Sequence, residues 1–363
     1  MVNQYQLLEL QERGLSVFHI DRPYVMDTWT PEKSNCGFDA TRTAAIAAIG
    51  PPADSEFVPD ITYRIDFPYR LRPGRAKRLF VFATSESQNL DDNFDNDEVE
   101  AGVANPDLTI VTPSHWSKNG FLKAGFPDER IAVVPHGVDG RIFKPLAPER
   151  RAAVRERLGL KDGEFAILSL GAMTKNKGVD LLIAAYAILR LKYPHLRLVL
   201  KDSSSLYGIS GLSIFQTLAQ FRPDLMTDAL RQSIIFSSSD MTLADLCDLY
   251  GAADCYASPY RAEGFNLPPL EAAACGLPII VTKGGPTDDY QHPSFALQIE
   301  GCTLSMGAGV MIEPDLNNLM DKLAYLIDGK ATALDRDFAV KHINTHRSWT
   351  SAVDKLIDLF KTA

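Results

Sequence analysis

Tyr256-Ala-Ser-Pro-Tyr-Arg-Ala-Glu263-Gly264-Phe265-Asn266-Leu267-Pro268-Pro269-Leu270-Glu271-Ala-Ala-Ala-Cys275-Gly276 is the stretch on which the reading of this chain turns. It reads as a strand end (255–258), a loop containing one glycine, and a helix opening at Pro268 and Pro269. Proline suits the first helical positions because no intrahelical partner exists there for an N–H. The amides of Gly264, Phe265, Asn266 and Leu267 then lie in line with the positive end of the helix dipole, a ready place for a phosphate. Glu263 precedes the helix and Glu271 lies one turn inside it, an E-x7-E spacing. Carboxylates repel phosphate, so beside such a site they fit the acceptance of hydrogen bonds from ribose or hexose hydroxyls. A surface loop followed by a capped helix is the alternative reading of E-x7-E alone.

The flanks extend an α/β pattern in both directions. Downstream, 277–282 is a continuous apolar run of the parallel-strand kind, and Gly284-Gly285-Pro286-Thr287-Asp288-Asp289 follows its C-terminal end. Upstream, Phe165–Leu170 reads as a buried strand, 171–178 as a glycine-bounded turn holding Lys175 and Lys177, and 179–191 as a long helix. That strand–turn–helix order is the arrangement at which phosphates bind. Further strands are expected at 196–200 and 233–236, with Thr242 and Asp245 as a capping box for a helix over 243–253. The N-terminal third is expected to hold a helix over 5–13, strands at 15–20, 61–65, 78–83, 108–112 and 131–134, and a helix over 113–125 with Ser114 as its N-cap. Glu86, on the loop after the 78–83 strand, is a candidate for the acceptor side or for base work, with a solvated loop glutamate as the alternative. His136 is expected to serve structure rather than catalysis. The charged, helical stretch 145–164 reads as a linker. Two Rossmann-like domains follow, 1–150 and 151–344, with a final helix over 345–363.

Composition narrows the function. A length of 363 residues suits two domains. With 37 Lys and Arg against 46 Asp and Glu, the net charge of −9 disfavours a nucleic-acid binder. Five cysteines (Cys36, Cys247, Cys255, Cys275, Cys302) without a C-x-x-C fit free thiols in a reducing cytoplasm. No apolar run reaches the length of a membrane span, and the start lacks a signal-peptide pattern. Asp95-Asn-Asp97 has a D-x-D form, but its surroundings lack the glycine and glutamate of a calcium loop, so an exposed acidic loop is expected and no metal site. No G-x-G-x-x-G follows a strand, which disfavours a dinucleotide dehydrogenase.

The run Glu-Gly-Phe-x-Leu-Pro-Pro-Leu-Glu-Ala-x-Ala-Cys-Gly closely resembles the signature of the retaining nucleotide-sugar glycosyltransferases of the GT-B fold, family four. The resemblance covers about 108 to the C-terminus strongly and the first hundred residues loosely. It implies two Rossmann-like domains facing across a cleft, a nucleoside diphosphate sugar held by the C-terminal one, and transfer to an acceptor hydroxyl with retention at the anomeric carbon. It also implies metal independence, no cofactor, and a final helix, 345–363, that packs back on the N-terminal domain. Lys177 would neutralise the leaving diphosphate, Glu271 would hold the ribose and Glu263 the donor sugar, making Glu263 and Lys177 the catalytic pair. The acceptor would be a glycan, a lipid-linked sugar or a small molecule.

Two departures stand out. The resemblance places an arginine five residues before Lys177, where this chain has Ala172, leaving Lys175 or Lys201 to compensate. The chain also opens on a helix, so the N-terminal domain is expected to lack its first strand and glycine turn. A nucleotide-sugar-binding protein with little transferase activity, or a hydrolase or epimerase of the same fold, are the alternative readings.

Overall fold

A computed structural model describes residues 1–21, 37–90 and 96–362, with the side chains of 96 and 97 left aside. The chain divides into two compact units: residues 1–137 with 307–310 and 347–363, and residues 138–306 with 311–346. The first boundary therefore falls at Gly137–Val138 rather than at 150. The stretch expected as a linker is a helix, Pro148–Arg157, bound into the second unit. Arg150 donates to Asp248, and Arg151 and Arg155 donate to Asp254. Its arginines are tied to carboxylates of the second unit, which is why the segment is not a free connector.

The first unit is built on a parallel sheet of β1 (Ile61–Arg64), β2 (Arg78–Phe82), β3 (Leu108–Thr112) and β4 (Ile131–Val133), in that spatial order. Leu79, Val81, Leu108 and Ile110 pack with Phe121 and Phe126 on one side, and Phe80 and Val111 pack with Leu356 of the helix Trp349–Thr362 on the other. Near-continuous apolar strands covered on both faces are what a parallel sheet requires. The chain starts with the helix Val2–Glu12, whose Tyr5 stacks on Trp349 at 4.8 Å between ring centroids. Ser114 caps the helix His115–Lys123 by accepting from Ser117 N–H. The strand expected at 15–20 does not form. β1 pairs with β2 and these residues join no sheet; Leu15, Phe18 and Ile20 stay exposed, and His19 N–H donates to Gly50 C=O. His136 is buried against Phe82 and Trp349, and burial pulls its pKa down to about 3, so it is a neutral packing group.

The second unit carries six parallel strands: β5 (Phe165–Gly171), β6 (Leu196–Asp202), β7 (Ile234–Ser237), β8 (Cys255–Ser258), β9 (Ile279–Thr282) and β10 (Ala296–Ile299). Their spatial order is β10-β9-β8-β5-β6-β7. The chain builds outward from β5 to β7, then returns to the other side of β5 and builds outward again to β10. The reversal lies between β5 and β8. In open α/β sheets the crevice outside the carboxyl ends of strands at such a reversal is where ligands bind. The helix Val179–Lys192 buries Leu182, Ile183 and Tyr186 against Leu198, Leu200 and Ile280. A hairpin of β11 (Gly301–Met306) and β12 (Gly309–Pro314) follows β10.

Candidate active site

Two loops leave the sheet at the reversal, 172–178 after β5 and 259–266 after β8. Gly178 adopts φ +68, and a Cβ there would sit 1.8 Å from the carbonyl oxygen of Pro259. Only glycine allows both the left-handed backbone and this approach. The loops are then tied together. Asn176 C=O accepts from the N–H groups of Arg261 (2.6 Å) and Ala262 (3.3 Å), and Asn176 Nδ2 donates to Ala262 C=O at 3.2 Å.

This tie brings Lys177 and Glu263 together. Lys177 Nζ donates to Glu263 Oε1 at 2.6 Å, with the glutamate buried and the lysine about one quarter exposed. Gly264, Phe265 and Asn266 are buried and Leu267 is half-buried. Asn266 holds φ +70, so it opens the helix Leu267–Ala274 without a side-chain cap. Its Nδ2 instead donates to Ser258 Oγ at 3.0 Å, and its carbonyl accepts from Tyr290 OH at 2.6 Å. The loop shape is thus fixed from both sides.

Glu271 lies inside that helix and is buried. Tyr250 OH, on the helix Leu243–Ala252, donates to its Oε2 at 2.8 Å. Burial pushes the Glu271 carboxyl up to about 7, a rise that the Tyr250 hydrogen bond limits. Tyr250 itself is held protonated by burial. Tyr250, Tyr256, Tyr260 and Tyr290, all fully buried, floor the loop.

Arg261 was missed by the sequence reading. Its buried guanidinium forks onto Asp180 (2.8 and 2.9 Å) and Glu313 (2.7 and 3.0 Å) and donates to Lys175 C=O at 2.8 Å. Burial pulls its pKa down, but the two carboxylates overcome this and keep it charged. Arg261 therefore holds the Lys175–Lys177 turn, the start of the helix Val179–Lys192 and β12 in one register. Its local signal was an arginine inside the signature loop; its partners lie 81 and 52 residues away. Tyr250 was missed for the same reason.

Lys175 is exposed on its turn. Glu86 belongs to the first unit, exposed on the loop after β2, with its carbonyl accepting from Trp116 Nε1 at 2.7 Å. Asp91–Asp95 of the acidic loop fall outside the described residues. Among the described residues no group of three or more His, Cys, Asp and Glu is placed to hold a metal ion, and no helix is long and apolar enough to cross a membrane.

Residues 150–295 match the family described as glycosyl transferases group 1. The chain is 28% identical over 228 residues to the D-inositol 3-phosphate glycosyltransferase of Pseudarthrobacter chlorophenolicus, covering 62% of this chain and 49% of that protein. It is 32% identical over 161 residues to the mannosylfructose-phosphate synthase of Agrobacterium fabrum, covering 44% and 34%. The chain thus spans about half or less of these curated relatives. Among solved structures, WaaG, a glycosyltransferase involved in lipopolysaccharide biosynthesis, aligns with a TM-score of 0.63 at 16% identity over 99% of this chain and 95% of that one. Anabaena HepE in complex with UDP-glucose aligns at 0.61 and 20% identity over 79% and 72%. These likenesses show the fold.

Proposed function

We propose that this chain, which has the GT-B fold and whose residues 150–295 match the group 1 glycosyl transferases, moves a sugar from a nucleoside diphosphate to an acceptor hydroxyl with retention of anomeric configuration. What carries the reading is the pairing of the loops after β5 and β8, which puts Lys177 on Glu263 at 2.6 Å with Glu271 one turn into the following helix. Anabaena HepE, similar in fold, was solved with UDP-glucose.

The chemistry follows from the residue types. Lys177 gives the leaving diphosphate a positive partner in a largely enclosed loop, and the amides of 264–267 add dipoles aimed the same way. Preorganised charge of this kind lowers the barrier because it needs no rearrangement as negative charge develops on the leaving oxygen. Glu271 accepts from the ribose hydroxyls, with Tyr250 occupying one of its oxygens. Glu263 accepts from donor-sugar hydroxyls and, with the donor absent, neutralises Lys177. The acceptor attacks the anomeric carbon on the face the diphosphate leaves, and a departing phosphate oxygen takes the acceptor proton. Glu86 belongs to the acceptor side in this account. The acceptor is a glycan, a lipid-linked sugar or a small molecule. Free Cys247, Cys255, Cys275 and Cys302 support a reducing, cytoplasmic setting.

Calorimetry with UDP, GDP and ADP tests the donor site. Lys177→Ala and Glu271→Ala each remove a charge-assisted hydrogen bond worth roughly 1.5–3 kcal/mol, about ten- to hundredfold in affinity. Unchanged affinity for whichever nucleotide binds the parent protein would remove these residues from the site.

A further inference from the structure

Among the described residues Lys201 is a buried cation with no ion-pair partner within contact distance. It lies near the end of β6, in register with Leu170 of β5 on one side and Ser237 of β7 on the other. Only 8% of it is exposed. Among the described residues its ammonium has one hydrogen-bond partner, the carbonyl oxygen of Asp202. The adjacent Asp202 carboxylate is engaged elsewhere, accepting from Ser204 N–H (3.1 Å), Gly211 N–H (3.0 Å) and Ser238 Oγ (3.0 Å). Asp240, the other acid acting on Lys201, is exposed and accepts from Ser205 Oγ at 3.2 Å.

Burying an ammonium with a single carbonyl partner is costly, and such groups are ordinarily paired with an acid. Burial lowers the pKa of Lys201, as expected of a charge lacking compensation. Its place in the sheet gives the charge a purpose. Leu170 immediately precedes Gly171 and the turn that carries Lys177, and that turn has alanine at 172. Lys201 therefore sits in register with the end of β5 that leads into the turn, its ammonium against the carbonyl of Asp202.

We propose that Lys201 binds the donor diphosphate together with Lys177, adding from β6 a second positive charge to that of the β5 turn. This rests on the donor-site reading above. A compact ammonium binds phosphate as a point charge rather than as a fork, so the interaction depends on phosphate charge and little on the nucleobase.

Calorimetry of Lys201→Met against UDP, GDP and ADP, their monophosphates and their nucleosides tests this, alongside thermal unfolding without ligand. The expected result is a melting temperature no lower than the parent's, since a buried uncompensated charge is gone. Diphosphate affinity should fall about ten- to hundredfold, with a smaller loss for the monophosphate and none for the nucleoside. Glu271→Gln should instead weaken nucleoside and diphosphate alike. Parent-like diphosphate affinity in Lys201→Met overturns the proposal, as does an equal loss for nucleoside and diphosphate. If Lys201→Met does not fold, Lys201→Gln carries the same test. Failure of both to fold also overturns it, because the ammonium would then serve the fold. Absence of nucleotide binding by the parent would instead overturn the donor-site reading on which the proposal depends.

Discussion

Replacing Arg261 with alanine is expected to loosen the candidate site more than any single loss of a ligand contact would. Five N–H···O contacts of 2.7–3.0 Å disappear together, four to the carboxylates of Asp180 and Glu313 and one to Lys175 C=O. Removing one partner of a buried ion pair costs about 3–5 kcal/mol because the remaining charge is stranded. Here the stranded carboxylates are 36% and 35% exposed and can rehydrate. The lower end, about 3 kcal/mol, is therefore the better figure. With a urea slope of roughly 2–3 kcal/mol/M, the unfolding midpoint should fall by about 1 M or slightly more. Hydrogen exchange read by mass spectrometry localises the effect. Peptides spanning 171–180 and 259–263 should lose protection, while those from β2 and β3 keep theirs. Arg261→Lys retains charge without the fork and should recover only part of the loss. Stability within about 0.5 kcal/mol of the parent would refute the reasoning, and so would equal loss of protection in β2 and β3.

Glu271 ordinarily would titrate near 4.5 and is held at about 7 by burial. Its contribution to stability is complete below about 4.5 and is lost as pH rises to about 7, a difference of about 3 kcal/mol at most; Glu271→Gln should flatten that part of the pH–stability curve, and an unaltered curve would contradict the assignment. Gly178→Ala should cost at least about 2 kcal/mol in urea unfolding, because its Cβ would meet Pro259 O at 1.8 Å on a backbone at φ +68; a change under about 0.5 kcal/mol would show that the loops are not locked there. Excess chelator should leave product formation intact, whereas loss of turnover that manganese or magnesium restores would bring Asp95 and Asp97 back as ligands.

Where the pattern is local, the sequence was legible. Leu319, Leu323 and Leu326 recur at helical spacing, and the helix Leu316–Ile327 buries all three. The turn before the helix Val179–Lys192 was marked by Gly171 and Gly178, both at positive φ. Thr242 and Asp245 form the expected reciprocal cap. Leu15–Ile20 misled because apolar, β-prone residues suit a strand, while a strand also needs a neighbour to pair with. Helix Pro148–Arg157 misled because its arginines look solvated until Asp248 and Asp254, about a hundred residues on, are placed against them. Lys177, Glu263 and Glu271 could be singled out as candidates from the loop signature, and the structure sets Lys177 against Glu263. Arg261, Tyr250 and the isolation of Lys201 depend on partners supplied, or not supplied, by distant segments.

Product analysis is the decisive test of sugar transfer by this chain. The protein would be incubated with UDP-, GDP- and ADP-sugars and a panel of glycan, lipid-linked and small-molecule acceptors. Mass spectrometry would identify any glycoside, and proton NMR its anomeric configuration. One productive pairing is expected, with nucleoside diphosphate released in step with a glycoside that keeps the donor's configuration and with Lys177→Ala severely impaired. A glycoside of inverted configuration, or free sugar as the only product with every acceptor, would contradict it.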